Sequence, residues 1–138
     1  MNQEEQLAFL FGRIGKEFKK SFSNTNLKID CSHKDMRILE YLYSGPKTMK
    51  ELANEIGLTP GSMTSAIDKL VSSKYVKRIY DKEDRRKVSI ELLQKGNAIA
   101  EHMNKFSLEI AKKLLNSLPK EERKIMISLI EKSIKGLN

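Results

Sequence analysis

TMKELANEIGLTPGSMTSAIDKLVSSKYVKRIYDKEDRRKVSIEL, residues 48–92, runs two short helical patterns and two strand patterns together almost without a gap. Thr48 and Glu51 have the spacing of a capping box, and Met49, Leu52, Ala53 and Ile56 form one apolar stripe that stops at Gly57. The spacing predicts a helix of about two turns. A second start follows at once, with Thr59 as N-cap and Pro60 at the first helical position, where its missing N–H costs nothing. The inner face of this helix is Met63, Ala66, Ile67, Leu70 and Val71. At 100° per residue, the opposite face shows Gly61, Ser65, Asp68 and Ser72, flanked by Ser62, Thr64 and Lys69. Two capped helices parted by Gly57-Leu58 predict a helix-turn-helix. Small hydroxyl-bearing residues near the start of the second helix let its backbone approach a partner closely, and they can donate or accept toward base edges and phosphates. An ordinary solvent face has the same composition, so the neighbouring elements decide between the two.

Those neighbours are strands. Tyr75–Tyr80 alternates, with Val76 and Ile79 as core candidates, and Val88–Leu92 alternates strictly with Val88, Ile90 and Leu92 on one side. Between them DKEDRRK, residues 81–87, places seven charges in seven positions. A helix-turn-helix followed directly by a β-hairpin is a winged helix, whose hairpin tip lies beside the second helix. A basic tip there can reach the DNA backbone or the adjacent minor groove, where the negative potential favours arginine. For the acidic members, either Asp84 orients Arg86, or Asp81 and Glu83 offset self-repulsion within the loop.

The run from Thr48 to Gly96 resembles the DNA-binding core of the multiple-antibiotic-resistance regulator (MarR) family of bacterial transcription factors. The resemblance rests on GLTPGSMTSAIDKLVSSKYVKR, on the wing pattern D-x-R at Asp84-Arg85-Arg86, and on ELLQKG, residues 91–96. The last is similar to the family's leucine-threonine-x-x-glycine exit into a long helix, with Leu93 where threonine is usual and hence a weaker N-cap. The resemblance implies a homodimer on palindromic double-stranded DNA, with the helix from Thr59 in the major groove and Arg86 in the minor groove. It also implies ligand or redox control, the ligand being a small anionic or aromatic effector. The DNA-binding residues expected are Thr59, Gly61, Ser62, Thr64, Ser65 and Lys69 on the helix and Arg85, Arg86 and Lys87 on the wing, with Asp84 orienting Arg86.

The flanking segments fit the same organisation: a winged helix-turn-helix over 32–92, and a helical dimerisation region over 1–31 and 93–138. In the N-terminal segment, Leu7, Leu10, Phe11, Ile14, Phe18 and Phe22 recur at spacings of three and four, which predicts a helix over Gln3–Phe22. An aperiodic loop, SFSNTNLKIDC, follows. Ser32 and Asp35 then signal a further helix start, and Met36, Ile38, Leu39, Leu42 and Tyr43 give that helix apolar residues on two faces before Ser44-Gly45-Pro46 ends it. From Gln94 to Leu118, Ile99, Met103, Phe106, Ile110 and Leu114 form a coiled-coil-like seam on a helix of about 35 Å. A last helix carries Ile125, Met126, Leu129, Ile130 and Ile134. The fold class expected is mainly α with a small β-hairpin wing.

Composition narrows the function. Lys and Arg number 26 against 18 Asp and Glu, a net charge of +8, which favours an anionic partner, nucleic acid ahead of membrane. No run of 18 apolar residues offers a transmembrane helix, and MNQEEQLAFLF lacks the basic start of a signal peptide, so the expectation is a cytoplasmic protein. No glycine-rich phosphate loop, carboxylate pair or Ser/His/Asp set suggests an enzyme. With one cysteine and two histidines, no metal site or cofactor is expected. Peroxide-sensing relatives usually carry their cysteine within the first helix, whereas Cys31 lies before the second, so an unreactive thiol is expected. The rival reading is a winged-helix module for protein or non-specific nucleic-acid binding.

Overall fold

The structure, a computed structural model, describes residues 1–23 and 30–137. In chain order these form α1 (Gln3–Ser23), α2 (His33–Leu42), β1 (Lys47–Thr48), α3 (Met49–Ile56), α4 (Pro60–Ser72), β2 (Val76–Tyr80), β3 (Val88–Leu92), α5 (Gln94–Asn116), α6 (Lys120–Ile134) and a closing 3-10 turn, Lys135–Leu137. The aperiodic loop falls largely at 24–29, outside the described residues, as does the side chain of Phe22. The chain divides into two compact units, 25–105 and the pair 1–24 with 106–138.

The first unit is built on its caps. The Ser32 hydroxyl accepts from the Asp35 N–H at 3.1 Å while the Asp35 carboxylate accepts from the Ser32 N–H at 3.2 Å, closing the expected capping box at the start of α2. Thr48 and Thr59 each accept from a backbone N–H three residues on, at 3.1 and 3.2 Å, and so begin α3 and α4. Gly57 ends α3 with φ 76°, a left-handed conformation that glycine adopts without a Cβ penalty. Ile38 and Leu39 of α2, Leu52 of α3, and Met63, Ile67 and Leu70 of α4 are buried, as are Val76 and Ile90 of the sheet, with α4 packed on β2 and with α2 and α3 on β3.

The sheet has three antiparallel strands in the order β1-β3-β2. The hairpin pairs Val76 with Leu92 and Tyr80 with Val88. β1, which sequence did not reveal, pairs Lys47 with Ile90 and Thr48 with Ser89. Two residues are too few for an alternation to register, and only the pairing with β3 makes them a strand. Ile79, expected in the core, is 37% exposed. Three positions separate it from Val76, an odd number, so in a strand the two side chains point to opposite faces.

The end of α4 carries a local conflict. The Lys74 N–H bonds the Val71 carbonyl and the Tyr75 N–H bonds the Leu70 carbonyl, a Schellman ending whose left-handed position is occupied by Lys74 at φ 64°. A lysine there strains the backbone in a way that glycine does not. Lys74→Gly is expected to stabilise the fold by about 1 kcal/mol, measured by urea unfolding.

The second unit is differently covered. Of the predicted α5 seam, Ile110 is buried at 8% exposure while Leu114 stands at 36%. On α1, Leu7, Leu10 and Phe11 are exposed at 53%, 49% and 62%, and on α6 Ile125, Leu129 and Ile134 are exposed at 57%, 58% and 52%. Apolar stripes on helices are normally turned inward, and on α1 and α6 these residues stand exposed.

Candidate nucleic-acid interface

The inner residues Met63, Ala66, Ile67 and Leu70 anchor α4, which leaves Thr59, Gly61, Ser62, Thr64, Ser65, Asp68 and Lys69 exposed. Thr59 and Thr64 are already engaged. Thr59 caps the helix, and the Thr64 hydroxyl donates to the Pro60 carbonyl at 2.9 Å. The hydroxyls of Ser62 and Ser65 make no hydrogen bond to another described residue and are free to meet a partner.

Lys69 stands apart. Its ammonium donates to Asp35 Oδ2 at 3.0 Å, and that carboxylate is only 2% exposed although Lys69 is 61% exposed. Burial pushes the Asp35 carboxyl up, but the bonds from Lys69 and from the Ser32 hydroxyl and N–H outweigh it and hold the group below the usual carboxylate range. An unfolded Asp35 therefore takes up its proton at higher pH than the folded one. Its contribution to stability is complete above the unfolded value of about 3.9 and is lost as pH falls through the folded value. Asp35→Asn is expected to lower stability near neutral pH by about 1 kcal/mol and to flatten the acid limb, measured by urea unfolding between pH 3 and 7.

The wing is ordered by its own carboxylates. Asp81 Oδ1 accepts from the N–H groups of Glu83 at 2.8 Å and Asp84 at 3.2 Å, and these two bonds hold its carboxyl below the ordinary range. Asp84 Oδ1 accepts from both the Arg86 N–H and the Arg86 Nε at 3.1 Å. The Arg86 side chain nonetheless remains 92% exposed, so its guanidinium is held in place and open to solvent at once. Arg85 and Lys87 are exposed beside it. Of the two roles left open for the acidic residues, the contact between Asp84 and Arg86 is present. Asp81 does more than offset charge, since it ties the loop together.

A sequence model of the MarR family matches residues 31–87, the stretch that carries α2 to the wing. The chain is 30% identical over 96 residues to the HTH-type transcriptional regulator YwhA of Bacillus subtilis, covering 69% of each chain. The chain belongs to the MarR family. It is also 29% identical over 107 residues to the HTH-type transcriptional regulator SarZ of Staphylococcus aureus, covering 77% of this chain and 72% of SarZ. Its fold matches that of Streptococcus pneumoniae FabT, solved in complex with DNA, with a TM-score of 0.81 at 23% identity over 98% of this chain and 96% of FabT.

MarR-family membership makes the chain a transcriptional regulator with a DNA-binding fold, not an enzyme. Among its described residues no helix is long and apolar enough to cross a membrane, and no group of three His, Cys, Asp or Glu is placed to hold a metal ion. Burial pushes the Cys31 thiol above its ordinary range, which keeps thiolate scarce at neutral pH. In this MarR-family domain sequence reasoning gave Asp81 only a charge-offsetting role, and it did not single out Arg78, which bonds the exposed Asp68 of α4. Asp81 is followed three residues later by Asp84, and an aspartate just after a strand commonly accepts from the turn it opens. For Arg78 a strand position gives no hint of a helical partner.

Proposed function

We propose that this MarR-family chain is a repressor that binds a palindromic operator in double-stranded DNA as a homodimer. In this reading α4 enters the major groove and presents Thr59, Gly61, Ser62, Thr64 and Ser65 to base edges and phosphates, and Ser62 and Ser65 have hydroxyls to spare. Arg86, oriented by Asp84, enters the adjacent minor groove, and Arg85 and Lys87 meet the backbone. The observation that carries the reading is Arg86 itself. Two bonds from the guanidinium to one carboxylate restrict it, yet nearly all of its surface is open to a partner. The net charge of +8 supplies the sequence-independent attraction.

The exposed apolar stripes of α1 and α6 support the homodimer. Two-fold symmetry then sets the recognition helices about 34 Å apart, one turn of DNA. Release from DNA by a small anionic or aromatic effector belongs to the same reading, as does a cytoplasmic location.

Titration of a fluorescent duplex across a range of salt, with native mass spectrometry of the complex, tests the proposal. Two chains per duplex and an affinity that falls steeply with salt are expected. A monomer, or weak attraction of equal strength to any polyanion, would instead support a winged-helix module for protein or non-specific nucleic-acid binding.

A further inference from the structure

Consecutive residues of α4 are tied in opposite directions. Asp68 is bonded by Arg78 of β2, and Lys69 bonds Asp35 of α2. Successive residues on a helix point 100° apart, and these two lie on either side of the outward line through Gly61 and Ser65. The Lys69 flank, which includes Ser62, faces the start of α2 across an open concavity lined by Ser32, Asp35 and Lys34. The Asp68 flank faces the sheet.

Both partners are set where a charge needs a reason. Asp35 is 2% exposed, and its carboxylate already receives the Ser32 N–H. Arg78 lies two positions from the buried Val76, so both side chains leave β2 on the same side. Its side chain is 24% exposed, and its guanidinium is bonded to Asp68. A carboxylate as enclosed as that of Asp35 is costly unless it is paired.

We propose that Asp35 and Arg78 are positioning residues that fix the roll of α4 about its own axis, and that Lys69 serves this brace rather than a DNA phosphate. The inference rests on α4 being the helix that reads DNA. The apolar contacts of Met63, Ile67 and Leu70 set the depth of α4 but are non-directional and resist rotation weakly. A roll of about 10° moves a side chain on the helix surface by about 1 Å, given a radius of about 5–6 Å with side chains. That shift breaks hydrogen bonds to base edges, which tolerate only a few tenths of an ångström. Long lysine and arginine side chains on phosphates follow such a shift and lose little. The brace therefore governs sequence discrimination more than overall attraction to DNA.

The test compares wild type, Lys69→Met, Arg78→Met, the double variant and the conservative Lys69→Arg. Each is checked for folding by thermal unfolding, then titrated with a selected operator and with random duplex. In the double variant the ratio of operator to random affinity is expected to fall at least about tenfold, since each misplaced base contact carries about that discrimination or more. Lys69→Arg restores the ratio, and Lys69→Met leaves the salt slope on random duplex unchanged. A ratio that survives in the double variant overturns the proposal. So does a slope reduced by about 0.9 in Lys69→Met with the ratio intact, because that is the signature of a lost phosphate contact. If wild type prefers no duplex, the operator reading fails by itself. The brace is then judged on amide exchange of α4 in the free protein, where protection unchanged in the double variant overturns it and faster exchange sustains it.

Discussion

Gly96→Ala is expected to destabilise the protein by about 3 kcal/mol, although the same change inside most helices adds about 1 kcal/mol. A Cβ at Gly96 would stand 2.2 Å from the Tyr75 carbonyl oxygen and 3.2 Å from Leu92 Cδ2. The first of these neighbours is backbone, and it cannot retreat cheaply. The Tyr75 carbonyl accepts from the Leu93 N–H at 2.9 Å, and the Lys95 ammonium sits 4.2 Å from the Tyr75 ring centroid. Moving the carbonyl aside would therefore disturb the junction of β3 and α5 and the anchorage of Tyr75, a ring that is 2% exposed and whose phenol burial pushes up to about 12. Gly61→Ala is the natural comparison, because a Cβ there meets nothing within 4 Å. It should leave stability equal or slightly raised. Urea unfolding of the two variants side by side checks both signs.

Arg86→Ala is expected to weaken operator binding by about 1–3 kcal/mol and leave folding stability within about 0.5 kcal/mol of wild type. The side chain is 92% exposed and bonds only the neighbouring Asp84, so little of the fold depends on it. Its loss should weaken binding to different sequences almost uniformly, because a wing arginine in the minor groove contributes mainly to affinity and reads little of the sequence. Substitutions at Ser62 or Ser65 should instead change which bases are preferred. Equilibrium titrations of the Arg86 and Ser65 variants on one operator and on its single-base derivatives distinguish these patterns. Unchanged affinity in Arg86→Ala, with binding abolished by changes at Thr64 or Ser65, would show the wing assignment to be wrong.

The parts of the fold that could be read in advance are those specified by local chemistry. Ser32 with Asp35, Thr48, and Thr59 with Pro60 mark helix starts through side chains that bond or spare nearby backbone groups, and each appears where the spacing places it. β3 follows from strict alternation over Val88–Leu92. The features that were missed depend on distant partners. β1 exists only through β3; Ile79 is the exception, exposed because the two-residue period of a strand turns it away from the side of Val76. Within the candidate site, the outward face of α4 and the pairing of Asp84 with Arg86 were legible from 100° geometry and from proximity in the chain. The partner of Lys69 was not. Asp35 lies 34 positions away, and a lysine on an outward helix face looks the same whether or not a carboxylate waits for it.

Selection of bound sequences from a random duplex pool at near-physiological salt tests the central claim most directly. An inverted repeat with half-sites about one helical turn apart is expected, matching two copies of α4 related by a two-fold axis. Recovery of duplexes with no shared sequence would contradict it.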